Sequence, residues 1–375
     1  MTTVGLTLEG TRTLVAQPDG SEQGRLSVDM LAALAQAHST RAAACLLRPP
    51  VLRNEALFQL TTTDVPLVRP TGFSNARAEW WWHVADWRER MRIRLAAAAS
   101  SFSLEWYREL RRQASDERLP IDLRGKLREG AHRWYERAER GSSATPRFAR
   151  TALRDPIAVQ LPGELRRMAE EAAIAAGAPI GPSCVAVDLH DAAEVTAPAL
   201  DWLAARGFTP FVLGRDPLVD VFVLLTCRFL ICDTSDAQRT AYLTNTPTLT
   251  INATDAYAFY PVRANGIYAV KTAIDLDTGE ALSPRDLLSE AYYRNQRNCG
   301  FRNTSATDVS AAVTEMVDGL ERGWSETAAQ ASYRELAIQS ATAMAPRVRH
   351  VAKWGPVDGF IGDGRIARVQ AERTS

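Results

Sequence analysis

The clearest hydrophobic pattern of this chain lies in residues 211–252, where short apolar runs alternate with polar loops. Their order predicts a strand, an apolar helix, a second strand, a polar loop, a second helix and a third strand. Each run is too short to span a membrane and too apolar for an exposed surface. Continuous apolar runs bounded by turn residues are typical of buried parallel strands. This segment therefore predicts the core of an open α/β sheet.

The same alternation continues on both sides of this segment. Further strands are predicted there, at 184–189, 209–213 and 267–273. Amphipathic patterns and capping residues predict helices at 160–177, 196–207, 283–290, 307–322 and 326–343. The tail, 355–375, is rich in Gly and Arg, and we expect it to be partly mobile.

The N-terminal half begins as an α/β pattern and then changes in composition. Strands are predicted at 11–16 and 42–47, and helices at 27–38 and 54–60. Arg, Ala, Glu and Trp dominate from 76 to 142, where the period predicts helices at 80–99, 104–114 and 123–139. A polar linker at 141–156 follows this helical insertion.

Two α/β halves joined by a polar linker predict two Rossmann-like domains that face each other across a cleft, where ligands commonly bind. The N-terminal domain is expected at 1–175, with the helical insertion at about 76–142. The C-terminal domain is expected at 178–335, and the final helix and tail, 336–375, are expected to cross back to the N-terminal domain.

The charge balance narrows the classes of partner. The 375 residues contain 44 Lys and Arg and 44 Asp and Glu, so no net field favours nucleic acid or an anionic membrane. Residues 1–20 lack a signal-peptide pattern, and no apolar run approaches the ~20 residues of a transmembrane helix. The five cysteines form no CxxC pair, which predicts reduced thiols, no zinc site and a cytoplasmic protein.

The polar loop within the opening segment is the first candidate site. Thr234, Ser235 and Asp236 follow a predicted buried strand and precede a predicted helix. Open α/β sheets bind phosphorylated ligands at such positions. The alternative is that Ser235 or Asp236 is an ordinary helix N-cap. Gln238 and Arg239 in the next turn favour a ligand site. Arg239 is a candidate phosphate partner, with a surface helix residue as the equal alternative.

Two more strand ends carry candidate groups. His190 lies between two carboxylates, with Asp188 on its N-terminal side, and a His so placed is a candidate general base. The alternative is a loop in which Asp191 caps the next helix. Arg215 follows the predicted strand 209–213 and could bind a diphosphate through two hydrogen bonds. A turn with a solvated Arg–Asp pair is the alternative.

Candidates on the N-terminal half are fewer. Gly24, where the first loop enters its helix, permits close approach of the backbone to a ligand; a plain turn glycine is the alternative. Trp81, Trp82 and His83 are consecutive on a predicted helix, so at least one side chain should face a cleft or solvent. Packing within the helical layer is the favoured alternative for the tryptophans, and His83 is a second candidate base.

Other motifs carry little weight. Asp275 and Asp277 match the DxD pattern of some metal-dependent sugar transferases, but IDLDTGE is typical of a hairpin. P-loop, GxSxG and GxGxxG patterns are absent, which disfavours an ATPase, a serine hydrolase and a typical dehydrogenase.

Seven segments follow one another in a recognisable order: GRLSVDMLAAL, VLRNEALFQL, CVAVDLHDAAE, GFTPFVLGRD, VDVFVLLTCRFLICDTSDAQRTAYLTNTPTLTIN, YAVKTAIDLDTGEALSPRDLLSE and FRNTSATDVSAAVTEMVDGL. Their order resembles a family of bacterial glycosyltransferases of the GT-B type. The resemblance implies two facing Rossmann-like domains, the acceptor on the first and the donor nucleotide on the second, with no metal. TSDAQRTAY is also similar to the donor loop of GDP-fucose-using fucosyltransferases, which favours a GDP-sugar over a UDP-sugar.

The resemblance also implies residue roles. Ser235 would contact the donor diphosphate, Asn252 would close the end of the PxLxxN strand, and Lys271 would lie beside the donor site. In the first loop Arg25 stands where the family has His, which makes it a candidate acceptor contact.

The chain departs from the family pattern at the strand ends. His190 stands where the family has Arg, and Asp188 where it has His. Arg215 is displaced within its motif, and Asp236 replaces a glycine. These departures imply an altered donor or acceptor, a changed mechanism, or lost activity.

The expected function is transfer of a sugar from a nucleotide-diphosphate donor to a small molecule in bacterial antibiotic metabolism, since the Ala- and Arg-rich composition is typical of a high-GC genome. S-glycosylation of a thiol such as ergothioneine is one form of it. The alternatives are a non-catalytic sugar-nucleotide-binding relative and an O-glycosyltransferase for cell-surface polysaccharide. A homodimer is an open alternative to a monomer.

Overall fold

The computed structural model describes the chain in separate ranges. They are 2–8, 11–17, 44–47, 61–62, 67–68, 105–116, 119–139, 159–161, 163–189, 193–214, 216–233, 236–254, 257, 263–294, 298–348, 351 and 364–373. The helices expected at 27–38, 54–60 and 80–99 and the linker at 141–156 lie outside these residues.

The N-terminal residues form a four-stranded sheet and part of a two-stranded one. The strands up to residue 160 are β1 Thr2–Leu8, β2 Thr11–Gln17, β3 Ala44–Leu47, β4 Thr61–Thr62, β5 Leu67–Val68 and β6 Val159–Gln160. The order is β1-β2-β3-β5, with β1 antiparallel to β2 and the other pairs parallel, and β4 pairs with β6. The strands predicted at 11–16 and 42–47 are confirmed as β2 and β3, whereas β1 was not predicted.

The second half contains a six-stranded sheet. The remaining strands are β7 Cys184–Asp188, β8 Thr209–Val212, β9 Phe229–Cys232, β10 Thr248–Ala253, β11 Gly266–Val270, β12 Thr272–Asp275, β13 Cys299–Arg302 and β14 Arg365–Ile366. The sheet order is β14-β11-β10-β9-β7-β8, and every pair in it is parallel. The predicted parallel α/β sheet is therefore confirmed, while the facing two-domain GT-B arrangement stays a prediction.

The described helices are α1 Ile121–Glu139, α2 Gly163–Ala175, α3 Ala193–Ala205, α4 Pro217–Thr226, α5 Asp236–Thr244, α6 Pro284–Leu287, α7 Glu290–Tyr293, α8 Ala306–Arg322, α9 Ala328–Met344 and α10 Arg368–Ala371. Some of them cover the two faces of the six-stranded sheet. Residues 105–114 are also helical, as predicted. Alternate residues of the central strands, such as Phe229 and Ile231, pack with α3 and α8 in one core. Helices α2, α4 and α5 contact one another in the order α2–α4–α5, and α5 packs on β9 and β10.

Three predicted elements differ from the structure. The strand predicted at 267–273 is two strands, because β11 ends at Val270 and β12 pairs antiparallel with β13 instead. The helix predicted at 283–290 is the two short helices α6 and α7, because Ser289 caps a new helix by accepting from the N–H of Tyr292. The helix predicted from 160 begins at Gly163, because residues 159–160 pair with β4.

Helix α1 contacts the C-terminal half through buried charges. Arg124 and Arg128 reach the Asp277 carboxylate in the turn after β12, at 3.0 and 2.8 Å. The Asp277 side chain is only 8% exposed, so the two arginines cover it. Asp277 is thus an ion-pair partner of α1, in agreement with the hairpin interpretation of IDLDTGE.

The described part of the tail packs on the six-stranded sheet. β14 pairs with β11, and the Gln370 side chain both accepts from the Val270 N–H and donates to the Val270 carbonyl. The expected domain limit at 335/336 falls inside α9. Among the helices described, none is long and apolar enough to cross a membrane.

Candidate functional site

The strand order of the six-stranded sheet reverses between β7 and β9. The chain runs from β7 outward to β8 and then crosses to β9 on the other side of β7. Helices from opposite faces diverge there, so a crevice opens outside the carboxyl ends of the strands, where open α/β sheets bind ligands. The Asp233 N–H donates to the Asp188 carbonyl at 3.3 Å and joins the two strand ends.

Four carboxyl groups lie around this reversal point. Asp188 and Asp233 end β7 and β9 and are half-buried. Asp216 caps α4 by accepting from the N–H of Leu218 at 2.7 Å. Asp220, in the first turn of α4, is only 6% exposed.

The Asp220 carboxyl has an unusual environment. Burial raises its pKa from 3.8 to about 6, the Gly214 N–H lowers it, and the charges of Asp188 and Asp216 raise it further. A carboxyl group with a pKa of about 6 exchanges protons near neutral pH, as general acids and bases do. The sequence indicates this buried carboxyl group in one way: Asp220 is the single charged residue within the apolar run PLVDVFVLL.

The end of β10 is distorted beside this region. The pairing of β10 with β11 shifts between Thr250 and Ala253, which is a β-bulge. Asn252 lies in the bulge with a φ of 57°, in the left-handed region that few residues other than glycine adopt. Bulges re-aim side chains and are frequent next to functional sites. The backbone here departs from a regular strand to orient Asn252.

The Asn252 side chain is buried and only half satisfied. It is 3% exposed, and its Oδ1 accepts from the Thr304 N–H at 2.7 Å. Its Nδ2 has no hydrogen-bond partner among the described residues. Thr304 also donates from its hydroxyl to the Val270 carbonyl at 3.3 Å, which ties the start of α8 to the ends of β10 and β11. Lys271, half-buried, directly follows β11.

The predicted site residues fall into two groups. The structure describes the side chains of Asp188, Gln238, Asn252 and Lys271, all of which belong to the carboxyl-end region of the sheet or the helix packed on it. The others lie outside the described residues or have side chains outside them: Gly24, Arg25, Trp81, Trp82, His83, His190, Arg215, Thr234, Ser235, Asp236 and Arg239. Their roles stay predictions.

Gln238 has a specific partner within the fold. It is 2% exposed, and its Nε2 donates to the Thr250 hydroxyl at 2.8 Å. The side chain therefore lies between α5 and β10. Its donor-binding role stays a prediction, to be weighed against this packing.

Neither metal ligands nor relatives identify the site. No group of three or more His, Cys, Asp or Glu that could hold a metal occurs in the described part of the chain. Comparison with protein-family models, with curated proteins and with solved structures finds no match to this chain. The class of protein that fold and site define is thus a mixed α/β protein with a parallel sheet and a polar carboxyl edge.

Proposed function

We propose that this chain is a glycosyltransferase that moves a sugar from a nucleotide-diphosphate donor, a GDP-sugar rather than a UDP-sugar, to a small-molecule acceptor. The observation that carries the proposal is the position of two elements: β9 ends at Cys232 beside the reversal point of a parallel sheet, and α5 begins at Asp236. Unpaired N–H groups and the positive end of the helix dipole favour a diphosphate at such a position.

The proposal gives the nearby residues roles in the transfer step. Ser235 and the first turn of α5 stabilise negative charge on the leaving diphosphate, with Arg215 or Arg239 as counter-charge. His190 or Asp188 accepts the proton of an acceptor hydroxyl. A thiol acceptor, such as that of ergothioneine, needs less help because thiols ionise nearer to neutral pH than hydroxyls.

The motif order described above supports the same proposal for the whole chain. It adds the GT-B arrangement, in which the N-terminal half around β1–β3 binds the acceptor. A metal-independent reaction and a cytoplasmic location are parts of the proposal that the motif order favours.

One observation favours a second candidate, a sugar-nucleotide-binding protein without transferase activity. Asp188, Asp216, Asp220 and Asp233 surround the reversal point. Carboxylates repel a diphosphate unless cations balance them. A protein that holds the donor without stabilising its leaving group binds but does not transfer.

Calorimetry with GDP and UDP tests the donor site. We expect GDP to bind more tightly than UDP, and Ser235→Ala to weaken GDP binding by about tenfold, the effect of one hydrogen bond to a charged group. Ser332→Ala is the matched control, since Ser332 lies on the exposed side of α9. Equal GDP affinity in Ser235→Ala and wild type would contradict the donor-site assignment.

Transfer is tested separately from binding. The protein is incubated with GDP-sugars and a panel of thiols and hydroxyl compounds, and products are identified by mass spectrometry. Glycosylated acceptor supports the transferase. GDP binding with neither transfer nor hydrolysis of the donor supports the non-catalytic alternative, and binding of neither nucleotide contradicts both.

A further inference from the structure

The unpaired amide of Asn252 is the strongest indication of a ligand among the described residues. Oδ1 is fixed by the Thr304 N–H, so the amide orientation is set and Nδ2 is the free end. A buried NH₂ group without a partner is costly, because it has lost its hydrogen bonds to water. The bulge and the left-handed backbone at Asn252 add to this cost. Costly arrangements of this kind persist at sites where a ligand supplies the missing partner.

The first turn of α8 lies next to this amide. Asn252 bonds to Thr304, and Ser305 immediately after it is the N-cap of this 17-residue helix. The Ser305 hydroxyl accepts from the Asp308 N–H. The N–H groups of Ala306 and Thr307 have no acceptor among the described residues, as expected for the first positions of a helix.

The polar groups here that lack a partner among the described residues are hydrogen-bond donors. They are the Nδ2 of Asn252 and the N–H groups of Ala306 and Thr307, and Lys271 is one residue beyond the Val270 carbonyl to which Thr304 bonds. The one acid of the helix turn, Asp308, is held by both Nη atoms of Arg373 at 2.9 and 2.7 Å, which balances its charge. A ligand that only accepts hydrogen bonds and carries negative charge fits this set.

We infer that Asn252 and the first turn of α8 form an oxyanion subsite that binds a phosphate group. That this phosphate belongs to the diphosphate of a nucleotide-sugar donor rests on the proposed function. The position agrees with it, because Cys232 of β9 pairs with Thr250 of β10 and neighbouring strands lie ~4.8 Å apart. The strand ends that lead to α5 and to Asn252 are therefore adjacent.

Two variants remove donors without a large change in shape. Asn252→Asp keeps the acceptor for the Thr304 N–H and a residue type that tolerates the left-handed backbone, but it replaces the free donor by a carboxylate oxygen. Ala306→Pro removes one helix N–H at the first helical position, where proline is favoured. The preceding Ser305 has φ −67° and ψ 153°, as a residue before proline requires.

The chain offers a matched control for each variant. Asn245→Asp changes the other asparagine with positive φ, at the amino end of β10, where its Oδ1 accepts from Arg263. Ala328→Pro changes the first residue of α9, also a 17-residue helix, after an extended N-cap residue, Thr327.

The probe is inorganic pyrophosphate, titrated by calorimetry at constant ionic strength, with circular dichroism and thermal unfolding to verify the fold of each variant. We expect wild type to bind pyrophosphate, Asn252→Asp and Ala306→Pro each to weaken it by about tenfold, and both controls to stay within about twofold of wild type. Absence of pyrophosphate binding to wild type overturns the subsite. Unchanged binding in folded Asn252→Asp and Ala306→Pro overturns it as well.

Parallel titrations with GDP separate this inference from the proposed function. GDP binding and sugar transfer that are insensitive to Asn252→Asp and Ala306→Pro leave the transferase standing and remove the subsite. Pyrophosphate binding that depends on both residues, in a protein that transfers no sugar, retains the subsite and removes the transferase.

Discussion

Both carboxylate oxygens of Asp220 accept a hydrogen bond from the one backbone N–H of Gly214, at 3.1 and 3.0 Å. Gly214 has a φ of 101°, so the chain turns sharply after β8 and directs this N–H into the first turn of α4. The contact ties the loop beside the reversal point to the helix that follows it.

Asp220 should make stability depend on pH. Its pKa rises from 3.8 to about 6 in the folded chain, so between these values the folded state binds more protons than the unfolded state. The free energy of unfolding therefore falls as pH rises through this window, by on the order of 3 kcal/mol, and levels off above it. Asp220→Asn should remove this decrease and be the more stable protein at about pH 8.

Urea denaturation at several pH values between about 4 and 8 measures the effect of Asp220→Asn. Asp201→Asn, an exposed aspartate on α3, is the control and should keep the wild-type profile. Identical profiles for wild type and Asp220→Asn would show that folding does not raise the pKa of Asp220, contrary to expectation.

The buried ion pairs of Asp277 should matter more than exposed ones. Asp277→Asn leaves Arg124 and Arg128 without their carboxylate, and we expect a loss of about 3 kcal/mol in the free energy of unfolding. Glu109→Gln, which removes the partner of exposed Arg112, should have no measurable effect. Equal urea midpoints for the two variants would contradict a stabilising role of the buried ion pairs of Asp277.

Gly319 on α8 should not tolerate a methyl group. A Cβ there would clash with the ring of Trp324. The Arg365 guanidinium lies 4.6 Å from the centroid of the same ring. Gly319→Ala should therefore lower stability by about 1–3 kcal/mol, although alanine favours helices. Gly163→Ala, at the start of α2 with nothing within 4 Å, should leave stability unchanged or raise it slightly. Thermal unfolding of both variants gives the comparison, and a Gly319→Ala protein as stable as wild type would contradict the clash.

Gln238 offers a test of which side chains contact a nucleotide. Gln238→Met loses the bond to Thr250, and we expect it to cost about 1 kcal/mol of stability. Because Gln238 is buried against β10, the Gln238→Met variant should lose less GDP affinity than the Ser235→Ala variant. A large loss of GDP affinity with unchanged stability would instead support the donor-binding role expected from the sequence.

The buried strands could be predicted from the sequence because their burial is uniform. All four residues of β9 and the first four of β7 are buried, so both strands appear in the sequence as continuous apolar runs. The end of β11 at Val270 could not be predicted, since it depends on the pairing of β12 with β13, which begins with Thr272 and Arg302, 30 positions apart. Apolar residues continue on both sides of Lys271, and only the pairing of β12 with β13 divides this segment into two strands.

The site was predictable in position but not in detail. The sequence predicts polar groups at the ends of β7, β9 and β10, because the carboxyl ends of parallel strands share one edge. The half-satisfied amide of Asn252 follows from a register shift between β10 and β11, which residue types do not encode locally. The role of Thr304 depends on a contact with Asn252, 52 positions away.

The pairing of Gln370 with Val270 has a consequence for biosynthesis. The two residues are 100 positions apart, so the outer edge of β11 has no strand beside it until the ribosome has made β14 and α10. Until then the nascent chain exposes an apolar strand edge, which is a template for wrong intermolecular pairing. Co-expression of chaperones, which bind exposed strand edges, should therefore improve the yield of this protein.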